Sequence, residues 1–222
     1  MTISPLMRKA LTAACIFGLC GAIATTANAD DNRGYYARAT LGLAGIGTDE
    51  LTLNESGVQT RADADFDAGF AGGGAFGYRY NENLRVELDL TYRSSEINEV
   101  TFANGGRQFT EGNFASLTFG VTGLYDFPND SDWTPYVGAG LAWVQEVDID
   151  FEDASGEISY ETDDIGIAAL AGVRWQSPSA PWFIDAEFRY INVGDVEMTR
   201  ETGTATAEYN PWTVGISAGW QF

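Results

Sequence analysis

The chain has 222 residues and no histidine, and its two cysteines, Cys15 and Cys20, both fall within the first 29 positions. Imidazole-assisted nucleophiles, histidine-dependent proton transfer and zinc sites built from Cys and His therefore have no residues to start from. Arginine and carboxylates remain. They recur in phase with a two-residue period in Arg85, Glu87, Asp89 and Arg93 and again in Asp185, Glu187 and Arg189, with Arg79, Asp126 and Arg174 in similar surroundings. Paired carboxylates can run acid-base chemistry in a deep sugar cleft, but no such cleft is indicated, so no enzyme and no cofactor are expected. Spacing by two puts each run on one face of a strand. If that face is enclosed, the ten charges should neutralise one another as a network of arginine-carboxylate pairs.

A second acidic feature lies between Glu146 and Asp164, where nine acids occur with no base. Asp148, Asp150 and Glu152 alternate with Val147, Ile149 and Phe151, and Asp153 follows, so the stretch reads as a strand that turns near Ala154-Ser155-Gly156. The spacing does not match a calcium loop built around a tight glycine turn. A charge-solvated hairpin is one expectation. The other is a surface where divalent cations or a basic partner gather.

These residues belong to a repeating pattern. Eight stretches alternate apolar with polar or small residues, which is the signature of strands with two unlike faces. Leu84, Val86, Leu88, Leu90 and Tyr92 interleave with Arg85, Glu87, Asp89, Thr91 and Arg93; Trp182, Ile184, Ala186, Phe188 and Tyr190 oppose Asp185, Glu187 and Arg189. The other six begin at about Tyr35, Phe66, Phe114, Pro135, Ile165 and Trp212. Long polar connections at about 47–65, 95–112, 146–163 and 192–210 alternate with short ones at 81–83, 128–133 and 176–181. That rhythm predicts an all-β, eight-stranded antiparallel up-and-down transmembrane β-barrel with short turns at one rim and long loops at the other.

Which face meets lipid follows from composition. The polar face is crowded with glycine and alanine, which suits a narrow lumen filled by side chains. Aromatics gather near the strand ends, as in interfacial girdles. Arg8 and Lys9, an apolar run and Ala27-Asn28-Ala29 make residues 1–29 an expected cleaved export signal, leaving a barrel domain over 30–222. That segment counts 10 arginines against 32 acids, a net charge of -22 that disfavours nucleic acid as a partner.

Several pieces carry a family resemblance: Leu84-Arg85-Val86-Glu87-Leu88 after a tight turn, Trp133-Thr134-Pro135-Tyr136-Val137-Gly138-Ala139-Gly140, Ala171-Gly172-Val173-Arg174-Trp175, Glu187-Phe188-Arg189-Tyr190, and the terminal Trp220-Gln221-Phe222. Over residues 30 to 222 the chain resembles the small outer-membrane β-barrel proteins of the OmpA-like transmembrane-domain type. The resemblance implies a location in the cell outer membrane, lipid as the surrounding partner, and Trp220 and Phe222 as the signal met by the outer-membrane assembly machinery. It implies a structural or surface-interaction role; the alternative is a small-solute pore. No peptidoglycan-binding domain follows the last strand, so wall anchoring is not carried over.

Overall fold

The computed structural model describes residues 33–46, 50–55, 58–66, 68–102, 107–108, 112–153, 156–160, 164–200 and 203–222. The expected export signal over 1–29 lies outside them. In chain order the strands are β1 (Gly34–Ile46), β2 (Glu50–Glu55), β3 (Val58–Phe66), β4 (Gly69–Arg79), β5 (Leu84–Phe102), β6 (Arg107–Gln108), β7 (Gly112–Asp126), β8 (Trp133–Asp153), β9 (Gly156–Tyr160), β10 (Asp164–Gln176), β11 (Trp182–Asn192), β12 (Gly194–Arg200), β13 (Gly203–Tyr209) and β14 (Pro211–Gln221). Eight of them, β1, β4, β5, β7, β8, β10, β11 and β14, pair antiparallel with their neighbours. The ring closes where β14 pairs with β1, from Tyr36 opposite Gln221 to Ile46 opposite Pro211. Closure leaves no strand edge in this ring, which is what a sheet in hydrocarbon requires.

Burial is inverted relative to a water-soluble protein. Leu41, Ile167 and Ile216 are 66%, 66% and 65% exposed, whereas Glu87 and Asp185 are 0% exposed. A continuous apolar exterior of this kind is untenable in water and is what lipid requires. Aromatic side chains fringe it near the short turns, where Trp175 lies 5.0 Å from Trp182 and Tyr125 lies 5.0 Å from Phe127. The turns are held by their own asparagines. Asn81 Oδ1 accepts from the amides of Asn83 (2.9 Å) and Leu84 (2.8 Å), and Asn129 Oδ1 accepts from the amide of Ser131 (2.8 Å).

The long connections carry strands of their own, which the sequence reading anticipated at the acidic run but not at the others. β2 and β3 form one hairpin, β12 and β13 a second, and β8 and β9 a third that spans the acidic run. β13 also pairs with β2, from Gly203 opposite Glu55 to Ala207 opposite Leu51, so the wall continues above the closure seam. The second transmembrane strand, expected from Phe66, begins instead at Gly69. Phe66 ends β3, where the pairing with β5 shifts register. Period two continues through these loops, but alternation of short polar residues gives no sign of which distant segment completes the ladder.

Candidate functional site

The inward faces of the eight strands bring their charges together in the lumen. Glycines make room for three inward rings. A Cβ at Gly77 would strike the Tyr36 ring, one at Gly172 the Tyr136 ring, and one at Gly219 the Phe183 ring. Those glycines belong to neighbouring strands, so part of the small-residue pattern on the polar face is the imprint of aromatics folded inward.

Near the short-turn rim, Arg85 grips Asp126. Its Nε donates to both carboxylate oxygens at 3.0 and 2.8 Å, and its Nη2 donates to Oδ1 at 2.8 Å. Arg79 Nη1 reaches the other oxygen of Asp126 at 3.0 Å. Opposite, Arg174 makes a two-pronged pair with Asp185, Nε to Oδ1 at 2.7 Å and Nη2 to Oδ2 at 2.8 Å. Such parallel donor pairs fix geometry as well as charge. The guanidiniums also lie on rings: Arg174 is 3.6 Å above the Phe183 centroid and Arg85 is 4.8 Å above that of Tyr136.

Arg38 on β1 forms the hub above this layer. Its Nη2 donates to Glu87 Oε2 at 2.8 Å and Glu187 Oε2 at 3.0 Å, and its Nη1 donates to Ser217 Oγ at 3.0 Å and lies 3.7 Å from Asp185 Oδ2. Two phenols complete the layer, Tyr36 donating to Glu87 Oε1 at 2.7 Å and Tyr136 to Glu187 Oε2 at 3.0 Å. Higher still, Arg189 Nη1 donates to Asp89 Oδ1 at 2.6 Å and its Nε to Glu187 Oε1 at 3.2 Å. Arg93 is held by hydroxyls, Nε to Thr213 Oγ1 at 2.9 Å and Nη1 to Thr118 Oγ1 at 2.8 Å.

All ten charges named from the sequence, Arg79, Arg85, Glu87, Asp89, Arg93, Asp126, Arg174, Asp185, Glu187 and Arg189, thus face the lumen. Arg174 and Asp185 stand directly opposite each other, which puts Asp185 at the lower level with its partner. Sequence reasoning left out the hub. Alternation puts Tyr36 and Arg38 on the polar face of the first strand and Tyr136 on that of the strand from Pro135, none of them among the network residues, and leaves Phe183 unassigned. The signal was present: each of the four is in phase with a polar or small neighbour two residues away.

The side chains of Asp148, Asp150, Glu152 and Asp153 lie outside the described residues, although the backbone places all four in β8. Among the described residues no group of three His, Cys, Asp or Glu side chains is placed to hold a metal ion. At the chain end, Trp220 is half-exposed on the lipid side, and the Phe222 amide donates to the Tyr35 carbonyl at 2.8 Å, tying the last residue to the first strand.

With this geometry in view, the comparisons with known proteins agree on architecture. A family model described as outer membrane protein beta-barrel domain matches residues 12–222. The outer membrane protein PagN of Salmonella typhimurium is 26% identical over 215 residues, spanning 86% of this chain and 87% of its own. The crystal structure of the outer membrane protein OprG of Pseudomonas aeruginosa superposes with a TM-score of 0.66 at 16% identity, over 86% of this chain and 97% of that one. The outer membrane protease OmpT of Escherichia coli gives 0.54 at 10% identity, over 90% and 99%, a likeness of fold alone.

Proposed function

The chain belongs to the outer membrane protein beta-barrel domain family, and within it we propose a non-enzymatic barrel whose lumen is closed and whose role lies in structure and surface contact. Its place is the outer membrane. The observation that carries the closed lumen is the hub: Arg38, Glu87, Glu187 and Asp185 reach across from three strands and meet within ion-pair distance. An eight-stranded barrel is narrow enough for side chains to fill it, and here the filling is cross-linked charge.

The absence of enzymatic action is supported by the residues themselves. No histidine is present to shuttle a proton. Each described carboxylate facing the lumen has an arginine within 3.0 Å, which commits it to an ion pair rather than to acid-base work. The hairpins beyond the membrane then become the working surface, and the acid-rich β8–β9 hairpin suits divalent cations or a basic partner. Residues Trp220 and Phe222 are proposed as the part of the chain met by the assembly machinery.

Planar-bilayer recording of the purified protein tests the closed lumen. A bilayer that keeps its basal conductance is the expected result. Frequent stepwise openings would establish the small-solute pore in its place.

A further inference from the structure

The described lumen holds six arginines, Arg38, Arg79, Arg85, Arg93, Arg174 and Arg189, and five carboxylates, Glu87, Asp89, Asp126, Asp185 and Glu187, so one positive charge is in excess. The surplus can be located. Asp126 serves Arg79 and Arg85, Glu87 serves Arg38 and Arg85, Asp185 serves Arg174, Glu187 serves Arg38 and Arg189, and Asp89 serves Arg189. Arg93 is 3% exposed, and among the described residues its hydrogen-bond partners are the neutral hydroxyls of Thr213 and Thr118. Hydroxyls satisfy donors without neutralising charge, and an isolated buried cation is costly.

A cavity of about 20 Å³ lies beside it, lined by Arg38, Arg93, Arg189, Asp89 and Thr213 and closed on the β4 side by small residues such as Ala71 and Ala75. That volume holds one water or one small ion, since about 10–15 Å³ suffices for a water. Three arginines line it against two carboxylates, and among the described residues two buried polar atoms on the lining, Arg38 Nε and Asp89 Oδ2, have no hydrogen-bond partner. Arg189 engages one oxygen of each carboxylate on the lining, Asp89 Oδ1 and Glu187 Oε1. The local balance is positive inside a chain whose overall charge is -20.

We infer that this cavity binds one monovalent anion of halide size, held by Arg93 with the neighbouring guanidiniums and the Thr213 hydroxyl. The site goes beyond the closed-lumen reading, because it concerns what neutralises the upper lumen rather than whether solutes pass through it. A water of the same size would fill the space and leave the charge uncompensated.

The test uses the full mature barrel in detergent. Thermal unfolding in sodium chloride is compared with sodium gluconate at equal ionic strength, and crystals soaked in bromide are examined for anomalous scattering. Chloride is expected to raise the unfolding midpoint, the Arg93→Gln variant to lose that dependence, and a bromide peak to lie beside Arg93. Equal midpoints in the two salts, a salt dependence that survives in Arg93→Gln, or a cavity without a bromide peak would overturn the inference. If Arg93→Gln does not give the heat-dependent gel migration of a folded barrel, the bromide map of the parent protein decides alone.

Discussion

The two halves of the lumen solve the same problem differently. Toward the short-turn rim two guanidiniums each have a carboxylate and a ring: Arg85 has Asp126 and Tyr136, and Arg174 has Asp185 and Phe183. Above the hub, the inward face of β4 supplies Ala71 and Ala75 instead of rings, Arg93 has hydroxyls instead of a carboxylate, and a cavity remains. Rings exclude water and make each ion pair stronger but less forgiving of loss. The lower half should therefore behave as a rigid plate, and the upper half as a looser, polar chamber.

The largest expected effect comes from removing the shared carboxylate of the plate. Asp126→Asn leaves Arg79 without its carboxylate and Arg85 with only the 3.4 Å contact to Glu87, and a broken buried pair costs about 3–5 kcal/mol. Urea unfolding in detergent should show that loss, while Asp89→Asn, whose Arg189 retains Glu187, should cost distinctly less. Equal costs would dissolve the contrast between the halves.

The Arg174–Asp185 pair sharpens it. Arg174→Met alone leaves Asp185 buried with only the 3.7 Å contact to Arg38 and should cost several kcal/mol, on the order of the same broken-pair penalty. Adding Asp185→Leu removes the stranded charge, and the double variant should recover most of the loss, because apolar replacement of a whole buried pair is close to neutral. A double variant as unstable as the sum of both singles would mean that the pair is needed by its neighbours. Tyr36→Phe is smaller again: it deletes the hydroxyl that joins Glu87 at 2.7 Å and Arg85 at 3.1 Å, worth about 1–3 kcal/mol because both partners are charged.

How far the sequence reveals this arrangement depends on the range of the interaction. Strand facing is local, and period two assigns Leu84, Val86 and Leu88 outward and Arg85, Glu87 and Asp89 inward from the residues alone. The eight-strand count and the short turns are local too, because Asn81 and Asn129 close their turns on neighbours two residues away. Partnership is not local. Arg38 and Glu187 are 149 positions apart and meet only because closure sets the register of every strand between them. The same limit hid the pairing of β13 with β2 and the glycine of the neighbouring strand that each inward ring packs against.

The smallest effect carries the opposite sign. Thr122 is fully buried on β7, opposite Glu87 on one side and Gly140 on the other, and among the described residues its hydroxyl has no hydrogen-bond partner. An unsatisfied buried hydroxyl carries a desolvation cost with no return, so the isosteric Thr122→Val should be neutral or stabilising by up to about 1 kcal/mol. The comparison with Thr118 and Thr213, whose hydroxyls hold Arg93, makes the measurement decisive. Thr118→Val and Thr213→Val should destabilise because they strip acceptors from the Arg93 guanidinium, and a Thr122→Val loss equal to theirs would show that its hydroxyl too is bonded in the lumen.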